Sequence, residues 1–146
     1  MMPKRDSTIL VLWADGFQEA TATIFVTELR RAGVRVKVIG STRQQIKGSY
    51  GLAIAPDLTL TQAEPLLIQT THLIIPTTLA AVQRLKNDPC LAAFLEQIDR
   101  LQIPVLIGGD ISGARLFLKS TVTIFPADSE ALVAFARRVA GGDGPF

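Results

Sequence analysis

Few residues of this chain have side chains that could do chemistry, and their spacing decides what is open to them. The one cysteine, Cys90, follows Asp88-Pro89, a helix-start pair in which Asp caps the first amides and Pro occupies the first turn. A lone cysteine there reads as a small packing residue. The one histidine, His72, opens an apolar run and has no second histidine or cysteine at ligand spacing. A strand-edge hydrogen bond is expected of it, and a metal site is not. Gly108-Gly109-Asp110-Ile111-Ser112 has the small-x-Asp-x-small spacing of an aspartate nucleophile on a sharp turn. No histidine lies downstream to act as its base, so Asp110 is read as capping a short turn or helix. Asp15, Gly16 and Glu19 follow another apolar run. They fit either a ligand site or a turn and a first-turn carboxylate that complements a helix dipole. No G-x-G-x-x-G follows Trp13 and no G-x-x-x-x-G-K-[ST] occurs, so no nucleotide cradle and no cofactor are implied.

The elements that must position these groups are read from periodicity. Residues 8–13 are a nearly unbroken run of apolar strand formers, as in a strand buried on both faces of a parallel sheet. Asp15-Gly16 supplies a turn. Over residues 17–32, Ala20, Ile24, Val26 and Leu29 recur at helical intervals, with Glu19, Glu28, Arg30 and Arg31 left to face water. Gly33 stands where a helix ends in a left-handed residue, and residues 34–39 alternate as a second strand. This is a βαβ unit, which implies an open α/β sheet with helices on both faces. Residues 41–47 read as a loop, and Gly48 to Gly51 punctuate a short extended pair that Pro56-Asp57 ends. Thr59 caps a helix that Pro65 keeps short. Strands are expected at 72–76, 103–107 and 121–125, with Thr77 and Thr78 in a loop after the first of these. Helices are expected at 79–85, 89–101 and 128–140, the last ending on Arg137-Arg138.

At 146 residues the chain is most simply one domain, residues 1–146, with flexible ends at 1–6 and 141–146. Hydrophobic residues at 48% and charged residues at 19% fit a well-packed globular protein. A net charge of +2 with scattered Lys and Arg does not suggest a nucleic-acid surface. One cysteine excludes an internal disulfide and fits a reducing compartment. The basic start leads straight into a short strand, so no signal peptide is expected, and no apolar run could span a bilayer. A cytoplasmic protein with no membrane insertion is the expectation.

The string ILVLWADGFQEATATIFVTELRRAGVRVKVIG resembles the first strand, helix and second strand of the ThiJ/PfpI superfamily. That superfamily has the flavodoxin-like fold also seen in class I glutamine amidotransferases. SYGLAIAPDLTLTQA resembles the family's hairpin, and HLIIP is similar to the strand that leads into its Pro-Gly-Gly loop. The resemblance covers residues 7–110 and resumes over 121–142. It implies a flavodoxin-like, mostly parallel sheet with helices on both faces. Family chemistry needs a cysteine on a strand-to-helix elbow, where helix-start amides favour thiolate. The resemblance puts Gly108 at that position. The glutamate that partners the cysteine aligns with Thr21, two residues after Glu19. Pro76-Thr77-Thr78 replaces the loop whose amides face an oxyanion. The family's longer, histidine-bearing stretch between elbow and last strand has no counterpart here.

No catalytic residue is therefore assigned. The first expectation is a non-catalytic ThiJ/PfpI-like binding or interaction module, its partner a second copy or another protein docking on Ile111, Leu116 and Phe117. The second is a small-metabolite site at the carboxyl edge of the sheet, bounded by Asp15, Glu19, Thr77, Thr78, Gly108 and Asp110. The third is a residual hydrolase or glyoxalase.

Overall fold

The computed structural model describes residues 7–78, 81–82, 87–108 and 121–142. The chain opens with β1 (Thr8–Leu12), α1 (Glu19–Arg31) and β2 (Arg35–Gly40). A hairpin of β3 (Ile46–Lys47) and β4 (Ala53–Ile54) follows, then β5 (Leu58–Thr59). Next come α2 (Leu60–Ala63), a 3-10 turn (Glu64–Gln69) and β6 (Thr70–Thr78). The remaining elements are α3 (Pro89–Arg100), β7 (Val105–Gly108), β8 (Val122–Ile124) and α4 (Ser129–Gly141).

Six strands form one sheet in the order β5-β2-β1-β6-β7-β8, and every pair in it is parallel. The hairpin β3–β4 is a separate antiparallel pair. The strand order runs outward from β1 in one direction and from β6 in the other, which makes the β1–β6 junction the switch point of a flavodoxin-like sheet.

All five residues of β1 are buried, because alternate side chains enter different layers. Leu10 and Leu12 join Leu73, Ile75 and Ile107 against the Leu91, Phe94 and Ile98 face of α3. Ile9 and Val11 join Ile74 and Leu106 against Phe25 and Leu29 of α1 and Leu132, Phe135 and Val139 of α4. Phe25 centres the second layer, edge-on to Phe125 at 5.3 Å and Phe135 at 6.2 Å. The α1–α4 side is tied further by Arg137, whose Nε reaches Glu28 at 2.8 Å.

Local signals explain most boundaries. Gly16 (φ 80°) and Gly33 (φ 85°) adopt the left-handed backbone that their turns need. Asp88 accepts from the amides of Cys90 and Leu91 and starts α3, and Thr59 forms a capping box with Gln62.

Several expectations are corrected. The buried face of α1 is Thr21, Ala22, Phe25 and Leu29, with Glu19 also buried, whereas Ala20 is exposed. The bulky Phe25 sets that face. The strand expected at 72–76 runs from Thr70 to Thr78 straight through Pro76. A proline with no N–H is accommodated because pairing with β7 shifts register between Ile75 and Thr78. Arg137 serves the Glu28 pair rather than its own helix end. Of the helix expected at 79–85, only 81–82 are described.

Candidate functional site

An open cleft of about 640 Å3 lies beside the switch point, between the start of α1, the hairpin tip, Thr77 of β6 and the start of α4. Each wall follows from the topology. In a parallel sheet every strand delivers the chain to the same edge, so the segments after β1, β6 and β8 converge there. The α1 wall contributes Gln18, Glu19, Ala20, Thr21 and Ile24; the tip contributes Ser49, Tyr50 and Leu52; the α4 side contributes Ala127, Ser129 and Leu132.

Among the described residues that line the cleft, Glu19 is the only carboxylate, and none of them is Lys or Arg. It is 8% exposed, and its carboxylate accepts from the amides of Tyr50 at 2.7 Å and Leu52 at 3.1 Å and from the Ser49 hydroxyl at 3.2 Å. The contact requires glycine at 48: a Cβ there would stand 2.5 Å from the Glu19 carboxyl carbon. Desolvation pushes the Glu19 carboxyl up. Hydrogen bonds from its own amide, the Leu52 and Tyr50 amides and the Ser49 hydroxyl outweigh that and hold it below 4.5. The expectation that Glu19 faces water is thus overturned; its charge fastens the hairpin.

Beside it, the Thr21 hydroxyl donates to the Gln18 side-chain oxygen at 3.1 Å. The Gln18 amide donates to the Pro76 carbonyl at 3.0 Å, which anchors the start of α1 to β6. The Gln18 side chain makes no capping bond to α1, whereas Asp128 caps α4 through the Ala131 amide at 3.0 Å. Thr77 is 2% exposed and lines the cleft.

Of the expected site residues, Glu19 and Thr77 line this cleft, and Asp15 and Gly108 do not. Asp15 is exposed and borders a smaller hollow of about 210 Å3 with Trp13, Ser41 and Asp88. Gly108 is the buried last residue of β7, paired with Thr78. Its φ is not positive, and a Cβ on it would meet the Thr77 carbonyl at 3.0 Å and the Phe125 ring at 3.1 Å. A side chain there would press into the layer under the sheet, because the chain is still in strand at 108. Thr78 contributes backbone to β6, and its side chain lies outside the described residues, as do Asp110, Ile111, Leu116 and Phe117.

Cys90 is exposed at the start of α3 and is not part of the cleft lining. His72 is half-buried in β6, its Nδ1 3.1 Å from the Thr71 hydroxyl, and burial lowers its pKa from 6.5. Sequence reasoning missed Ser49, Tyr50 and Ser129 as lining residues and had Thr21 only as the position aligned with the family glutamate. A signal for Ser129 existed: a helix that starts just after a parallel strand starts at the carboxyl edge.

The DJ-1/PfpI family model matches residues 7–124. The chain belongs to the DJ-1/PfpI family. Solved structures agree on the fold. Drosophila melanogaster DJ-1beta superposes with a TM-score of 0.70 at 17% identity, over 93% of this chain and 89% of that one. A cysteine-to-alanine variant of a DJ-1 superfamily protein from Salmonella typhimurium gives 0.70 at 16% identity, over 94% and 91%. A two-domain protein from Anabaena variabilis, with DJ-1/ThiJ/PfpI-like and ferritin-like domains, gives 0.67 at 17% identity, over 93% of this chain and 48% of that one. No curated protein sequence matches the chain. Among the described residues no helix is long and apolar enough to cross a membrane.

Proposed function

We propose that this DJ-1/PfpI-family chain is a non-catalytic binding domain that takes a small, uncharged, hydroxyl-bearing molecule into the cleft between α1, the hairpin tip and α4. The observation that carries the reading is a cleft of about 640 Å3 at the switch point with no thiol in its lining. The chain's one cysteine is elsewhere, and the one carboxylate among the described lining residues is spent on three hydrogen bonds to the tip.

The chemistry of the lining supports a neutral ligand. Among the described lining residues an anion finds no cationic side chain and a cation no unspent carboxylate, so either would lose hydration there without a partner. The Thr21 and Ser49 hydroxyls, whose protons go to Gln18 and Glu19, can accept, the Thr77 and Ser129 hydroxyls line the same cleft, and Ile24, Leu52 and Leu132 offer an apolar face.

A thermal-shift screen of matched neutral and anionic metabolites tests this, run on wild type and on Ala20→Trp, an exposed position of α1 that lines the cleft. Neutral hydroxylated compounds should raise the wild-type midpoint and not the variant's. A hundredfold excess over Kd stabilises by about 2.7 kcal/mol, roughly 5–10 °C for a chain of this size. Hits confined to anions, or equal shifts in Ala20→Trp, would sink the reading.

A further inference from the structure

The hairpin tip, residues 48–52, is joined to the body by few bonds. It is closed on itself, Gly48 N–H to the Leu52 carbonyl at 3.0 Å and Gly51 N–H to the Gly48 carbonyl at 3.1 Å, so it can move as one piece. The Ser49 amide donates to the Phe17 carbonyl at 2.9 Å. Three further ties, from the Tyr50 and Leu52 amides and the Ser49 hydroxyl, all end on the Glu19 carboxylate. The stem is anchored separately, by the Trp13 indole N–H to the Ile46 carbonyl at 2.9 Å and by the Gly16 amide to the Lys47 carbonyl at 3.0 Å. Tyr50 is 96% exposed and Leu52 51% exposed, although both border the cleft.

We propose that residues 48–52 are a flap forming one wall of the cleft, that the Glu19 carboxylate is the latch that holds it, and that this latch governs access to the cleft. The inference rests on reading the cleft as a binding site. A carboxylate is an acceptor only, with room for several donors at once, so one group can hold three. Removing it leaves the tip with the Ser49–Phe17 bond, while the stem keeps its own anchors. The two large apolar side chains kept in water at the rim are those such a flap would lay over a bound molecule. Glu19 is then a positioning residue, acting on the cleft through the tip.

Hydrogen exchange of the free protein, read residue by residue, tests the latch with two independent variants. Glu19→Gln replaces one acceptor oxygen by a donor facing amide donors. Gly48→Ala keeps Glu19 and displaces its carboxylate, because the new Cβ would stand 2.5 Å from the carboxyl carbon. In both variants the Tyr50 and Leu52 amides should exchange about tenfold faster or more, and chymotrypsin should cut after Tyr50 sooner, while β1 amides keep wild-type rates. A merely structural Glu19 would loosen β1 as well, and that pattern, or wild-type exchange at Tyr50 and Leu52, overturns the proposal. Should Glu19→Gln fail to fold, Gly48→Ala decides alone. No ligand enters this measurement, so its failure is separate from a failed metabolite screen.

Discussion

Replacing Gly108 by cysteine, in a Cys90→Ser background, puts back the thiol that the family resemblance places at this position, and the surroundings dictate how it behaves. The new Cβ would stand 3.0 Å from the Thr77 carbonyl and 3.1 and 3.2 Å from two carbons of the Phe125 ring. Those contacts are a few tenths of an ångström too short, and the sulfur extends further. Phe125 is 5% exposed and packed on Phe25, so the ring has little room to yield. Overpacking of this kind costs about 1–3 kcal/mol, which for a chain near this length lowers Tm by roughly 3–10 °C. Gly108→Ala should show most of that loss, because the Cβ is the clashing atom. A thiol held in apolar surroundings has a raised pKa and reacts slowly. Labelling by a disulfide reagent at pH 7.5 should therefore be slower for the introduced cysteine than for Cys90 in wild type, which is exposed. A thermally neutral Gly108→Cys whose thiol labels faster than Cys90 would mean instead that residue 108 stands on an open elbow.

Other outcomes follow from the same geometry. Asp88→Ala removes the oxygen that accepts from Cys90 and Leu91 and should cost about 0.5–2 kcal/mol in urea denaturation; an unchanged midpoint would mean that Pro89 alone starts α3. Trp13→Phe leaves the Ile46 carbonyl without its indole donor and should cost about 1–3 kcal/mol, with the loss of protection concentrated in the hairpin stem. Stability should fall with acid in two stages. Burial holds the His72 pKa below its ordinary 6.5, so the unfolded chain takes up that proton first and stability drops as pH falls below 6.5. Glu19 and Glu28 are held below 4.5, so their contribution is present above that pH and is lost as pH falls through their lowered values. His72→Gln should flatten the upper stage and Glu19→Gln reduce the lower one, both read from denaturation midpoints across pH.

What could be read from the chain was what short-range physics fixes. The run through residues 8–13 announced a strand buried on both faces, and Gly16, Gly33, Thr59 and Asp88 marked turns and caps by chemistry contained within a few neighbours. Glu19 was illegible for the opposite reason. A carboxylate in a first helical turn defaults to solvent, and its donors, Tyr50 and Leu52, lie 31 and 33 residues away. Pro76 suggested a strand end, because a proline interrupts a ladder unless a register shift spares it. The resemblance placed Gly108 on an elbow after a strand; whether a residue there turns outward depends on where pairing stops, and in the structure pairing continues to 108.

Amide chemical-shift mapping during titration with a neutral, hydroxylated compound from the thermal-shift screen would show whether the cleft binds without reacting. Shifts should concentrate at Glu19, Thr21, Tyr50, Leu52 and Ser129. Shifts centred instead on Cys90 and the start of α3, or conversion of the added compound in step with the titration, would contradict a non-catalytic binding cleft.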